Sequence, residues 1–233
     1  GLAAKPMTLH AETAWRSLTR RDPWVNQLRA TIAGFSAGIG GADSLTVLPF
    51  TAALGLADAF ARRVARNTQL ILLEEANLWR VADPAAGAGG FEALTQGLCE
   101  QGWSKLQDLE REAADGLPGM VAALANAHVQ QGLARQRALR AKAIATRREP
   151  ITGTSEFANL GETSVSVLSV PPVEGGSEAV AAETGLTTEA LPSLRLAEAF
   201  EVLRDQADAA TARRGKRPTV FLATLGSIAD FTA

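Results

Sequence analysis

The sequence contains one cysteine, Cys99, and no tyrosine among its 233 residues. A single cysteine excludes an internal disulfide and a cysteine-based metal cluster, and it fits a reducing compartment, so we expect a cytoplasmic protein. The absence of tyrosine excludes a phenol as an acid or radical partner within these residues. The two histidines, His10 and His128, have no partner histidine at ligand spacing, so we expect no metal site.

An excess of charge of one sign and long hydrophobic runs are also absent. The chain has 23 Lys and Arg against 25 Asp and Glu, which excludes a strongly basic surface for nucleic acid or for a membrane. No apolar run approaches the roughly 20 residues that span a bilayer. We therefore expect neither a nucleic-acid nor a membrane partner. Because the chain starts at Gly1 and is already within a regular pattern by Met7, we also expect a fragment of a longer protein.

The hydrophobic content is sufficient for a buried core, and residues 25–75 have the pattern of one α/β unit. A helix is predicted to end at Gly40 and Gly41, with its buried face formed by apolar residues at three- and four-residue spacing. Residues 44–50 are a short apolar run, which is typical of a parallel strand covered on both faces. A second helix is predicted from the N-cap Asp58, with Phe60, Val64, Leu70 and Ile71 on its apolar side. The apolar face of the first helix consists of Val25, Leu28, Ile32, Phe35 and Ile39.

Further elements are predicted on both sides of this unit. A strand is expected over residues 7–13, and a helix over 91–112 carries Cys99 on an apolar face that we expect to be buried. Further helices are predicted over 120–129, where His128 lies, over 135–148, and after a cap at Ser193. Strands are predicted over 150–157 and, as a buried strand, over 218–225.

Several runs of residues carry a resemblance to a known family. They read R-A-T-I-A-G-F-S-A, G-G-A-D-S-L-T-V-L-P-F, A-L-G-L, D-A-F-A-R-R-V-A-R-N-T-Q-L-I-L-L-E-E and R-V-A-D-P-A-A-G. In this order and spacing they resemble the adenosylcobalamin-dependent methylmalonyl-CoA mutases. The resemblance implies an α/β fold in which a (β/α)8 TIM-type barrel is followed by a flavodoxin-like cobalamin-binding domain. We expect residues 1–158 to be the C-terminal part of the barrel, 159–192 an interdomain linker, and 193–233 a helix and the first strand of a degenerate cobalamin-binding-like domain.

The resemblance also points to candidate site residues. The family pattern H-x-Q-T-S-G-W-S-L-T is matched by His10 and Thr13, whereas Glu12 replaces the Gln, and a carboxylate cannot donate a hydrogen bond as an amide does. The family pattern S-L-H-T-N departs at Thr46 and Leu48, which replace His and Asn. The resemblance therefore implies His10, Thr13 and Thr46 as substrate-binding candidates and no catalytic residue. For His10, a structural histidine hydrogen-bonded at a strand end is the alternative interpretation.

The cofactor motif of the family is missing from this chain. When D-x-H-x-x-G is laid along the C-terminal residues, Ile228, Asp230 and Ala233 occupy its three defined positions. We therefore expect adenosylcobalamin to be bound by a partner subunit and no cofactor on this chain. These losses favour the small, non-catalytic subunit of a heterodimer, whose large catalytic subunit interconverts methylmalonyl-CoA and succinyl-CoA. Two alternatives remain: a stand-alone acyl-CoA-binding or scaffold module, and a barrel enzyme that uses His10 and Glu12.

Overall fold

The structure is a computed structural model that describes residues 7–114, 116–169, 188–221 and 223. Contacts within the chain divide it into two compact units, Gly1–Ala197 and Glu198–Ala233. Both strands found in the described residues belong to the first unit. No helix within the described ranges has both the length and the apolar composition that crossing a membrane requires.

The sheet of the first unit is a parallel pair of short strands. β1 (His10–Glu12) pairs with β2 (Ser44–Thr46), and the chain between them contains α1 (Val25–Ile39). This strand–helix–strand order confirms the predicted α/β class. Both strands are shorter than the predicted 7–13 and 44–50. After β2 the chain turns, because the N–H of Ala52 bonds to the carbonyl of Pro49, which itself has no N–H for a ladder.

The bounds of α1 were predicted correctly, but its buried face was not. The buried residues are Asn26, Ala30 and Gly34, which share one side of the helix. A Cβ atom at Gly34 would lie 3.3 Å from the Leu45 side chain of β2, so small residues allow the helix to approach the strand closely. Of the apolar residues that were predicted to be buried, Leu28, Ile32 and Phe35 are exposed, with Ile32 67% accessible, whereas Val25 and Ile39 are half-buried. Hydrophobic size therefore identified the wrong side of the helix.

The second helix of the unit begins as predicted. In α2 (Ala59–Leu70) the carboxylate of Asp58 accepts a hydrogen bond from the Ala61 N–H at 2.8 Å, which is the expected N-cap. The helix continues into a π-helical turn, Ile71–Glu75. Its buried side again consists of small residues, whereas Phe60, Leu70 and Ile71 are exposed and Val64 is half-buried. The buried residues of α2 and the π-helical turn are Ala61, Ala65 and Leu72.

A long helix with an exposed apolar side follows. α3 (Gly89–Arg111) has no buried residue, and the predicted burial of Cys99 is wrong because its thiol-bearing side chain is exposed. Its C-terminal end packs against α4 (Gly119–Ala125), where a Cβ atom at Gly119 would lie 2.1 Å from the Leu109 carbonyl oxygen. The rest of α3 has too few contacts with the described part of the chain for its large apolar residues to be buried. The exposed residues are Phe91, Leu94, Leu98, Trp103 and Leu106.

The boundary between the next two helices differs from the prediction. α4 ends at Ala125, and α5 (His128–Ala145) begins after Ala127, whose φ of 57° places it in the left-handed region. His128 is therefore the first residue of α5 and does not belong to a helix over 120–129. A left-handed alanine is unfavourable, and the surrounding sequence contains no glycine that would have indicated it.

Residues 150–157 form a turn, so the strand predicted there is wrong. The Ile151 carbonyl accepts hydrogen bonds from the N–H groups of Thr154 and Ser155, at 3.0 and 2.9 Å. Gly153, which lies between Ile151 and Thr154, has a φ of 82°, which a glycine adopts without strain. Because the chain folds back on itself, these residues do not provide a barrel strand.

The C-terminal elements are described only in part. α6 (Glu198–Arg214) begins after the predicted cap at Ser193, because the N–H of Leu196 donates to the Arg16 carbonyl instead of starting a helix. The described residues 159–169 and 188–192 contain no helix or regular strand. Of the strand predicted over 218–225, residues 218–221 and 223 form none, and the other positions lie outside the described residues.

Candidate functional site

The face of the β1–β2 pair that points away from α1 is polar and exposed. His10 lies opposite Ser44, and Glu12 lies opposite Thr46. Because side chains alternate along a strand, these four residues share one face, and the residues between them share the other. All four are exposed, whereas Leu45 on the opposite face is half-buried against α1. The strand pair therefore presents two rows of hydrogen-bonding groups on one side.

His10 is held by a side-chain contact across the two strands. Its Nδ1 atom shares a short hydrogen bond with the hydroxyl of Ser44. The tautomer of the ring sets which of the two groups donates. This contact fixes the orientation of the imidazole and leaves Nε2 on the exposed face. The geometry is therefore compatible both with a structural histidine and with a histidine that contacts a ligand through Nε2.

Thr13 is placed differently from the other two candidates. It is buried, and its side chain lies on the α1 side of the sheet because it is one residue beyond Glu12. Its N–H donates to the Thr46 carbonyl at 3.0 Å, and its hydroxyl accepts a hydrogen bond from the Leu48 N–H at 2.9 Å. Thr13 therefore extends the pairing of the strands toward their carboxyl ends. The structure brings His10 and Thr46 to one face and Thr13 to the other.

Thr46 and Glu12 form the end of the polar face that lies nearest to the loops after the strands. Both side chains are exposed, and the strand spacing puts Glu12 about 7 Å along β1 from His10. Beyond Thr46 the chain turns inward, since Val47 is buried against Ala30 and Ala65. Only hydrogen-bonding and carboxylate groups are therefore available on this face of the described strands.

A buried amide network connects the loops that follow the two strands. Asn26 is completely buried, and its side-chain NH2 donates to the carbonyls of Thr19 (2.8 Å) and Phe50 (2.9 Å). Its side-chain oxygen accepts from the Thr19 N–H (3.0 Å), the Thr19 hydroxyl (3.1 Å) and the Arg29 guanidinium (2.9 Å). A buried amide with every donor used is a strong constraint on its neighbours. Asn26 therefore fixes both loops at the carboxyl end of the sheet.

Arg29 extends this network to a third segment of the chain. Its second terminal nitrogen donates to the carbonyl of Thr152, in the turn over 150–157. Burial lowers the pKa of the Arg29 guanidinium from its ordinary value, and the negative charge of Asp22 partly opposes this shift. A partly buried cation needs hydrogen-bond acceptors to offset its lost hydration. The amide of Asn26 and the carbonyl of Thr152 provide them.

Sequence reasoning missed Asn26 and Arg29 because neither belongs to an apolar pattern, and the run R-A-T-I-A-G-F-S-A, which begins at Arg29, gave that residue no role. One signal was present, since Asn26, Ala30 and Gly34 recur at four-residue spacing and form a stripe of small and polar residues on α1. A stripe of small residues is as good an indication of a buried helix face as a hydrophobic stripe is. The prediction instead followed the larger apolar side chains on the other side of the helix.

The two histidines of the described residues have different side-chain partners. His10 bonds to Ser44, and His128 lies 3.4 Å from the Glu112 carboxylate at the start of α5, so the two imidazoles belong to separate places. The residues laid on the cofactor motif, near Asp230, fall outside the described residues. Within the described residues there is no group of three or more His, Cys, Asp or Glu side chains that could hold a metal ion.

Comparisons with known proteins identify close relatives. The sequence pattern of the methylmalonyl-CoA mutase family matches residues 3–230. The chain is 47% identical to the methylmalonyl-CoA mutase small subunit of Streptomyces virginiae over 231 residues, which are 99% of this chain and 35% of that protein. It is 43% identical to the small subunit of Propionibacterium freudenreichii subsp. shermanii (95% and 32%) and 34% identical to the methylmalonyl-CoA mutase of Escherichia coli K12 (74% and 23%). The chain spans about a third of the length of the small subunits that it matches.

Proposed function

Because this chain belongs to the methylmalonyl-CoA mutase family, we propose that it is part of the small, non-catalytic subunit of an adenosylcobalamin-dependent mutase. The assembled enzyme interconverts methylmalonyl-CoA and succinyl-CoA, and a large catalytic subunit is the partner in a heterodimer. The relatives named as small subunits, at 43 to 47% identity, support this assignment.

The observation that carries the proposal is the amount of large apolar surface left uncovered. On α1, Leu28 is 65% exposed, and Phe35 on the same side is also exposed. On α3 the large apolar residues from Phe91 to Leu106 are exposed, with Trp103 62% accessible. Contiguous apolar surface of this kind marks a contact with further protein. More polypeptide, from the same subunit and from its partner, therefore covers these faces in the assembly.

We also propose a finer fold assignment, which the paired strands support. We assign residues 1–158 to the C-terminal part of a (β/α)8 barrel, 159–192 to the interdomain linker and 193–233 to the start of a cobalamin-domain-like region. A parallel pair joined by α1 is the repeating unit of such a barrel, and barrels close so that no strand edge is left free. The outer edges of β1 and β2 would pair with further strands of the barrel.

The polar face of the strands supports a non-catalytic role in binding. His10 and Thr46 offer hydrogen bonds toward an acyl-CoA in the assembly, and the exposed Thr46 hydroxyl stands where the family pattern has a histidine. A threonine cannot exchange protons near neutral pH as an imidazole does. The chain also offers no histidine at the family's cofactor motif, so adenosylcobalamin belongs to the partner subunit.

Copurification tests the pairing. The protein that contains this chain should copurify in equal amounts with a tagged large subunit of the mutase family. Its thermal midpoint should rise when the large subunit is present, since binding stabilises the folded state. The proposal would be overturned if the protein stayed monomeric at high concentration, unfolded in one sharp transition and did not bind the large subunit.

A substitution at Thr46 tests the non-catalytic part. Thr46→Ala should change the turnover of the reconstituted mutase at saturating acyl-CoA by less than about twofold, because no proton transfer is assigned to this hydroxyl. Thr8→Ala, which removes a hydroxyl from an exposed residue just before β1, is the matched control. If Thr46→Ala reduced turnover by about a hundredfold with an unshifted unfolding midpoint, the residue would be catalytic.

A further inference from the structure

Residues 162–168, which we call the strap, lie against the loops that follow both strands. Glu162 contacts the loop after β1, because its carboxylate accepts hydrogen bonds from the Arg21 guanidinium (Nη1 to Oε1, 3.1 Å) and from the Asp22 N–H. Leu168 contacts the loop after β2, where its N–H donates to the Leu56 carbonyl at 2.8 Å. We propose that the strap is a latch that opens and closes as one unit, with Glu162 as the positioning residue that controls it.

The middle of the strap is attached by apolar contacts. Val165 packs against the buried cluster of Phe50, Ala57 and Ala61, which is formed by the loop after β2 and the start of α2. Val167 lies beside Gly55, where an added Cβ atom would be 3.3 Å from the valine methyl carbon. The seven residues of the strap are therefore attached at both ends and in the middle, and the attachments reach two loops that are distant in sequence.

These attachments are weak compared with the core beneath them. The described residues 159–169 contain no helix and only a single antiparallel bridge, at Leu168. The side chains of Arg21 and Glu162 remain 20% and 16% exposed, whereas Asn26 is completely buried. Segments with few buried contacts open at a lower free energy than the whole domain does. The strap should therefore open while the hydrogen bonds between Asn26 and Thr19 stay intact.

Glu162 controls the latch because it holds a strained residue. Asp22 has a φ of 46°, in the left-handed region that costs energy for any residue except glycine. The hydrogen bond from its N–H to a carboxylate is charge-assisted, so it is stronger than a bond to a neutral acceptor. When the strap opens and Glu162 moves away, the loop after β1 loses the hydrogen bond that stabilises Asp22. That loop follows the carboxyl end of β1, so the state of the strap sets the geometry at the same end of the sheet as Thr46 and Glu12.

Residue-by-residue amide hydrogen exchange in the full chain tests the proposal, and it does not depend on the proposed function. The amides of Asp22 and Leu168 report on the two ends of the strap, and the Thr19 amide, bonded to Asn26, reports on the core. Glu162→Gln keeps the shape of the side chain and removes its charge. We expect exchange at Leu168 to rise about tenfold in this variant, with Thr19 exchange unchanged.

A second substitution tests the coupling from the middle of the strap. Val165→Ala should accelerate exchange at Asp22, although Asp22 bonds to Glu162 and not to Val165. Glu149→Gln, which removes the charge from an exposed ion pair with Arg140, is the matched control and should leave all three reporters unchanged. If Leu168 exchange were unchanged in Glu162→Gln, or if Asp22, Leu168 and Thr19 accelerated together, the strap would not be a separate latch.

Discussion

The side-chain amide of Asn26 donates a hydrogen bond to the backbone carbonyl of Phe50, with an N–O distance of 2.9 Å. Asn26 lies in the first turn of α1, after β1, whereas Phe50 lies in the loop after β2. This contact joins the loops that follow two paired strands, and it adds to the bond between the Thr13 N–H and the Thr46 carbonyl at the strand ends. The same amide also holds both the N–H and the carbonyl of Thr19, so the two loops form one structure.

Replacement of Asn26 should therefore destabilise the protein strongly. Asn26→Leu keeps the approximate size of the side chain but leaves the buried carbonyls of Thr19 and Phe50 without their donor. We expect the free energy of unfolding to fall by about 2 to 4 kcal/mol, measured by denaturant titration. Gln27→Leu, one residue later and less buried, is the matched control and should change it by about 0.5 kcal/mol or less. Equal midpoints for the two variants would contradict the role given to Asn26.

The contact between α3 and α4 can be tested with two glycines. A Cβ atom at Gly119 would lie 2.1 Å from the Leu109 carbonyl oxygen and 2.8 Å from the Glu110 Cα, so Gly119→Ala must separate the helices. We expect a loss of about 2 kcal/mol or more in the free energy of unfolding. Gly132→Ala, inside α5 and with open space around it, should instead stabilise by about 0.5 to 1 kcal/mol. A Gly119→Ala variant as stable as the parent would show that the helices do not pack as described.

The exposure of Cys99 gives a chemical test of whether the apolar side of α3 is covered in the assembly. In the separate chain Cys99 should react with a thiol reagent nearly as fast as in the denatured chain, because its side chain is exposed. In the proposed complex the reaction should slow by about tenfold or more, since modification then requires local opening. Ser104→Cys in a Cys99→Ala background places the thiol on another side of α3 and should stay reactive. Equal protection of both thiols would point to a nonspecific effect.

The helices show how far the sequence predicted the fold. The periodicity of α1 and the pair Gly40-Gly41 fixed its ends, and Asp58 fixed the start of α2, because these are local signals. The buried faces were predicted wrongly because they depend on what packs against each helix. Gly34 and Ala65 are buried by close approach to other elements, while the larger Ile32 faces outward. The spacing of apolar residues shows that a helix has an apolar and a polar side. It does not show which side packs against the other elements of this part of the chain.

The family resemblance named the residues of the candidate site, and strand alternation accounts for which of them share a face. His10 and Thr46 lie on one exposed face of the parallel pair. Their role in binding a substrate stays a prediction. The polar core of the site region was not predictable, because Asn26 and Thr152 are 126 positions apart and meet only through Arg29. The helix break at Ala127 also lacked a signal, since alanine normally continues a helix.

The parallel pairing of β1 with β2 also constrains the order of folding. His10 and Ser44 are 34 positions apart, and closing a segment of that length has a conformational entropy cost before any ladder bond forms. A helix, in contrast, forms from local contacts in about a microsecond. Once the 15 residues of α1 are helical, the flexible part of this segment is shorter, and β2 packs along the helix with Leu45 at Gly34 and Val47 at Ala30. We therefore predict that nucleation begins in α1, so that a substitution such as Ala33→Gly on its exposed side slows refolding more than it speeds unfolding, as chevron kinetics would measure.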